Sequence, residues 1–159
     1  DLETASLMIE NHSSELLEPI SEYDCSRSLL ALQSWITESS EISLSDGLGI
    51  ESGDMHRMVE NANWLTYCLR EIAKHVERAD LLEDLENLRR RIVYGIREEL
   101  LDLVKVKGIG RVRARILFKH KIKTLDDLAK IPVNKLAEID KIGLTLADKI
   151  KSELKKVRY

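Results

Sequence analysis

The stretch Val104-Lys105-Val106-Lys107-Gly108-Ile109-Gly110-Arg111-Val112-Arg113-Ala114-Arg115-Ile116-Leu117 decides the fold. An apolar run (Leu100, Leu101, Leu103, Val104) enters it, and two glycines then flank a single apolar residue, Ile109. A second amphipathic run leaves it, with small Ala114 four residues after Gly110. This is a helix-hairpin-helix pattern. Glycine tolerates positive φ and lets another chain approach closely. Amides at the start of the second helix lack intrahelical acceptors and carry partial positive charge, so a phosphate fits there. Ile109 is expected to plug the hairpin into the core, and Ala114 to let the two helices cross closely. Lys107, Gly108, Ile109 and Gly110 form the candidate loop, with Arg111, Arg113 and Arg115 expected to surround it with fixed charge. The competing reading is a tight helical turn whose arginines are merely solvated.

The pattern recurs. Ile139-Asp140-Lys141-Ile142-Gly143-Leu144-Thr145-Leu146-Ala147 repeats it 33 residues on, with Gly143 matching Gly110 and Ala147 matching Ala114. Lys141 replaces the first glycine, so this copy is expected to support the fold more than to bind phosphate. Two copies are much harder to reach by chance than one Gly-x-Gly. Between them, Thr124 with Asp126 and Asp127 reads as a capped helix start. Pro132 suits the first turn of a further helix running to about Glu138.

Outward from the hairpins, composition sets the frame. The 159 residues are 43% hydrophobic and 33% charged, with few aromatics and two prolines, which points to an all-α chain able to bury a core. Residues 1–102 hold nine Lys/Arg against 22 Asp/Glu, a balance of −13; residues 103–159 hold sixteen against six, a balance of +10. A basic C-terminal third is the footprint of a polyanionic partner or a solvated basic face; joined to the hairpin, it favours nucleic acid. No apolar run approaches a bilayer span, and no membrane partner is expected. A secretory leader is not expected, and the start at Asp1 suggests a fragment of a longer protein. Cys25 and Cys68 are isolated and read as buried thiols of a reducing cytosol. Neither they nor the four histidines have metal-ligand spacing, so no metal is expected.

Residues 2–23 alternate apolar and acidic positions, with boundaries blurred by Pro19 and the polar break at 11–14. Asp24 is a plausible N-cap for a helix carrying Leu29, Leu30, Leu32, Trp35 and Ile36, with Trp35 in the core. Residues 39–46 suit a short helix closed by Gly47 or Gly49. Ser52 then caps the longest helix, whose Met55, Met58, Ala62, Leu65, Leu69, Ile72, Ala73 and Val76 recur at spacings of three and four and predict one buried stripe. Trp64 lies roughly 115–135° from that stripe's centre, and Arg57, two turns earlier, is within about 20° of the same azimuth. An indole and a guanidinium are thus aligned away from the helix's core, unless another helix covers that face. Leu81–Tyr94 predicts a further helix, with Leu82, Leu85, Leu88, Ile92 and Val93 inward. Its Arg89-Arg90-Arg91 run reads as a solvated, salt-bridging face, and Gly95 permits a break.

Phosphate-loop, nucleophile-elbow and His-Glu-x-x-His motifs are absent, and no acidic cluster near the hairpin suggests two-metal nuclease chemistry. The chain reads as a binding device with no catalytic residues of its own.

The run Gly53-Asp54-Met55-His56-Arg57-Met58-Val59-Glu60-Asn61-Ala62-Asn63-Trp64-Leu65 resembles the ratchet helix of archaeal superfamily 2 DNA helicases that act at stalled replication forks, relatives of the human helicase Q. Tyr94-Gly95-Ile96-Arg97-Glu98-Glu99-Leu100-Leu101, followed by Gly108–Arg115, is similar to the junction into that family's last domain. The resemblance covers most of the chain, strongly from about residue 29. It implies a ratchet-like bundle over 1–97, completing a ring around single-stranded DNA, and a helix-hairpin-helix domain over 98–159 that grips the emerging tail and restrains unwinding. It also implies that Arg57 and Trp64 contact the strand, the indole stacking on a base, and that Arg111, Arg113 and Arg115 match the arginine-rich motif. The implied partners are single-stranded or forked DNA and the remaining domains of the parent helicase, in a cytoplasmic, nucleoid-associated setting. ATP and Mg belong to the parent protein, since the two motor domains and the winged-helix domain are not in this chain. His56 stands where a second basic residue is expected, which would make grip there pH-dependent. The alternative of another class is a helix-hairpin-helix protein-interaction or dimerisation module, for which the acidic N-terminal lobe is the argument.

Overall fold

In the computed structural model, residues 22–157 are described, and among them the regular structure is helical throughout. Expectations for residues 2–21, and for the Cys25 side chain, lie outside them. Helices α1 (Glu22–Ile36), α2 (Glu41–Leu48), α3 (Ser52–His75) and α4 (Leu82–Tyr94) build an N-terminal bundle. Helices α5 (Leu101–Val104), α6 (Arg111–Lys119), α7 (Leu125–Lys130), α8 (Val133–Ala137) and α9 (Leu144–Val157) build the C-terminal lobe.

Local chemistry sets most helix ends. Ser40 caps α2 by accepting from the Ser43 amide at 3.1 Å, and Gly49 closes it at φ +59°. Thr124 and Asp127 form a reciprocal capping box on α7. Two expected caps are corrected. Asp24 lies inside α1, and α3 starts at Ser52 with Glu51 in the cap position and no side-chain cap bond. A hydroxyl at a helix start is only a propensity, and Met55 in the first turn is packed into the buried cluster of Ala31, Leu44 and Ile50.

Helices α3 and α4 run antiparallel, because Asn63 meets Arg89 while Arg70 meets Glu86. The predicted stripe on α3 is only partly buried. Met55 and Ala73 are inside, but Leu65, Leu69, Ile72 and Val76 are each more than half exposed. The buried faces of α3 and α4 turn toward each other around Thr66, about 80° from the exposed aliphatics. On α4, Ile92 is buried while Leu88 and Val93 are partly exposed, and on α1 Leu29 and Leu30 are partly exposed around buried Ala31. Cys68 is half-buried.

The larger core belongs to the C-terminal lobe, where Ile96, Leu100, Leu103, Val106, Leu117, Leu128, Leu136 and Ile150 are fully buried. The two hairpins superpose in their bonding. Ile109 N–H donates to Val106 O at 3.0 Å, and Ile142 N–H to Ile139 O at 3.0 Å; Ala114 N–H donates to Gly110 O, and Ala147 N–H to Gly143 O, both at 2.9 Å. Ile109, Ile142, Ala114 and Ala147 are all buried, as the plug-and-crossing reading requires. The repeat therefore survives the loss of its first glycine. Lys141 takes φ +60° where Gly108 takes +96°, a left-handed conformation that disfavours side chains. Lys151 joins the motifs by donating to Leu128 O and Ala129 O at the end of α7. Partial burial lowers its pKa.

Candidate nucleic-acid interface

The first hairpin presents Lys107 and Gly108 to solvent while Ile109 turns inward. Gly110 sits extended at the head of α6 without a side-chain cap, so the amides of the first turn face outward. The Ile109 amide itself is taken by Val106 O. The expected open nitrogens are thus those that follow Ile109, at the start of α6.

The expected ring of three arginines is corrected. Only Arg113 braces the loop, its Nη1 donating to Gly108 O at 3.0 Å and its Nε to Lys141 O at 3.1 Å, which ties the two hairpins together. Arg111 and Arg115 turn to the N-terminal bundle. Arg111 lies 4.6 Å above the Trp35 ring and donates to Ser39 O at 2.7 Å. Arg115 makes a bidentate pair with Glu38, both bonds 2.7 Å, and a third bond to Glu99 at 2.9 Å. The reason is helical spacing: positions 111 and 115 are one turn apart and share a face, which the bundle covers.

The partner side of this seam is built to match. Glu38 follows α1 at φ +71° and also accepts the Arg97 amide at 3.2 Å. Burial would raise its pKa, but the Arg115 hydrogen bonds, the Arg97 amide and the nearby positive charge outweigh it and lower the value. Arg97 Nε donates to Thr37 O. Trp35 Nε1 donates to Ile92 O at 2.8 Å, and its ring fills the space where a Gly95 side chain would stand. Burial pushes the Arg111 pKa down, against the pull of Glu38 and Glu41. Sequence reasoning placed Trp35 in a core but missed Glu38 and Arg97. The only local sign of the seam is the Tyr94-Gly95 step, too short to name its partners.

The second candidate surface is on α3. Trp64 is 64% exposed, so no described helix covers it. Arg57 is exposed on the same side and pairs with Asp54, one turn earlier. Neighbouring His56 faces Glu60 at 3.4 Å. The bundle therefore offers an open indole and a guanidinium held only by an exposed ion pair, a weak restraint. No helix among the described residues is long and apolar enough to cross a membrane.

Residues 2–95 match the family described as Archaeal helicase, domain 4, and residues 100–156 match a SAM-like helix-hairpin-helix tandem. Several curated relatives bear the name ATP-dependent DNA helicase Hel308. The one from Pyrococcus horikoshii is 38% identical over 129 residues, which is 80% of this chain and 18% of the relative. That from Thermoplasma acidophilum is 35% identical over 129 residues, 81% of this chain and 19% of the relative. That from Thermoplasma volcanium is 34% identical over 147 residues, 90% of this chain and 22% of the relative. The chain thus spans about a fifth of the length of these relatives. The match over residues 2–95, more than half of an all-α chain that continues into a hairpin tandem, shows that this chain belongs to the archaeal helicase domain 4 family.

Proposed function

We propose that this chain is the C-terminal DNA-binding part of an ATP-dependent DNA helicase and holds single-stranded or forked DNA without sequence preference. The observation that carries this reading is the coexistence of two open surfaces whose chemistry suits a nucleic acid, the Gly108–Arg113 hairpin loop and the exposed Trp64 beside Arg57. The loop would receive backbone phosphates on the amides of Gly110, Arg111 and Val112, helped by Lys107 and Arg113. Trp64 would stack on a base. Arg111 and Arg115 are turned toward Ser39 and Glu38, so the first grip falls to Lys107 and to Arg113, whose bonds to Gly108 O and Lys141 O hold its guanidinium at the loop. ATP, Mg and strand separation belong to the parent protein's motor domains, which are the other partners of this chain. Repair of stalled forks in the archaeal cell is the setting this reading implies.

A titration of labelled oligonucleotide tests the proposal. Trp64→Ala and Lys107→Ala should each weaken binding without lowering thermal stability by more than about 0.5 kcal/mol, as for surface substitutions. Stacking is worth about 1–3 kcal/mol per base. No binding by the unaltered chain in dilute buffer would refute the reading. A second reading, an interaction or dimerisation module, has the exposed Leu65, Leu69, Ile72 and Val76 in its favour. Size-exclusion chromatography with and without oligonucleotide separates the two. A dimer that ignores DNA supports the second.

A further inference from the structure

On the facing sides of α3 and α4 the acidic bundle carries a local excess of positive charge. Glu86 accepts from Arg89 Nε and Nη2 and from Arg90 Nε, all at 3.0 Å. Arg70 Nε lies 3.9 Å from the same carboxylate, beyond hydrogen-bond reach, and is buried with no partner among the described residues. Arg70 Nη1 meets Glu71 at 3.3 Å. Three guanidinium groups thus share Glu86, and the terminal nitrogens of Arg90 carry no described protein partner. Glu71 also pairs with Lys74 at 2.6 Å, so two carboxylates meet four cations here, and the remaining positive charge attracts an anion.

This cluster opens into a groove of about 490 Å³ walled by Arg89, Arg90, Tyr94 and Lys105, with Val93 and Val104 as its apolar part. Glu86 is the one carboxylate on that wall. Lys105 pairs with Asp102 at 2.6 Å, but both are substantially exposed, so the pair is weak. The volume exceeds what a lone ion needs. Cations, a tyrosine ring and aliphatic surface together match a nucleotide unit of a strand: phosphate on guanidinium, base on ring.

Position narrows the ligand further. Arg89 Nη1 donates to Asn63 Oδ1 at 3.2 Å, and Asn63 precedes Trp64 in α3. At the other end Lys105 stands two residues before Lys107, where the first hairpin loop opens. The groove lies where the bundle passes into the hairpin lobe.

We propose that the groove formed by Arg89, Arg90, Tyr94 and Lys105 binds the sugar-phosphate backbone of single-stranded nucleic acid. This rests on the DNA-binding reading above and adds a third contact to it.

The test uses the whole chain, a fluorescein-labelled oligo-thymidylate and anisotropy titrations across a salt series. Arg90→Gln and Lys105→Gln should each weaken binding several-fold and reduce the slope of log Kd against log salt by about 0.7 for each lost phosphate contact. Tyr94→Leu should weaken binding about fivefold or more with an unchanged slope. Arg113→Gln is the hairpin comparison. If Arg113→Gln weakens binding while the three groove variants bind as the unaltered chain does, the groove proposal is overturned and the hairpin reading stands. Absence of binding by the unaltered chain overturns both. Lys105 is exposed, so Lys105→Gln keeps the test valid if Arg90→Gln fails to fold.

Discussion

Gly95 shows how much one residue decides at the junction. It closes α4 at φ +61°, and a β-carbon there would stand 2.4 Å from Trp35 Cε2. Gly95→Ala should destabilise the protein by roughly 2–4 kcal/mol, from backbone strain added to overpacking. Thermal denaturation should show this as a fall of about 5–15 °C; an unchanged midpoint would mean that Trp35 is not seated against the junction. Lys141 is the opposite case. Its left-handed backbone is costly with a side chain, so Lys141→Gly should raise the midpoint by about 2–4 °C, corresponding to about 1 kcal/mol. Loss of stability would show that Lys141 contributes more through its side chain than its backbone costs. Glycines at hairpin loops were legible in the sequence because φ is a local property. Lys141 was readable as a departure from the motif, but that it keeps the geometry of Gly108 needed the bonds around it.

At the scale of the element, α3 is the instructive helix. Its period was correct, yet half of its expected stripe is on the surface, because periodicity reports which side chains share a face and not how far along a neighbour extends. Trp64 stood apart on the wheel, and the fold leaves it exposed. Because Trp35 is the other indole, Trp35→Phe leaves a single-tryptophan reporter on α3. Oligonucleotide should then quench its fluorescence, and an unaltered spectrum at saturating binding would remove Trp64 from the interface. The α6 helix teaches a related lesson. Its limits, Arg111–Lys119, match expectation, but three alternate arginines on one helix cannot all point one way. Two face the bundle and one braces the loop.

For the whole molecule, the seam between lobes is electrostatic as well as packed. Glu38 joins Arg115 and Arg97 across it, so Glu38→Gln should cost on the order of 1–3 kcal/mol, the range for hydrogen bonds to charged groups. Calorimetry should show the single transition broaden or split as the lobes uncouple; a sharp transition at the original midpoint would show that the ion pair is dispensable. Acid should act in the same direction. Glu86, hydrogen-bonded by Arg89 and Arg90, has its pKa lowered to about 2, and Glu38 is also held below its usual value. A carboxyl depressed in the folded state stabilises above its unfolded pKa of about 4.5, and that contribution is lost as pH falls toward the folded value. The urea midpoint should therefore drop between about pH 5 and pH 2, and less steeply in Glu86→Gln. An equally steep fall in that variant would assign the acid sensitivity elsewhere.

What the sequence by itself determined is what short-range physics controls: the tandem hairpins, their buried Ile109 and Ile142 plugs, the capping box at Thr124, the helical class and the acid-base asymmetry of the two halves. Only the tertiary structure decided which cations are open. Arg111 finds Ser39 across 72 residues and Arg115 finds Glu38 across 77, whereas Arg113 stays at the loop. A guanidinium on a long flexible stem pairs with whatever acceptor the fold brings near, and that choice depends on distant chain rather than on neighbouring residues.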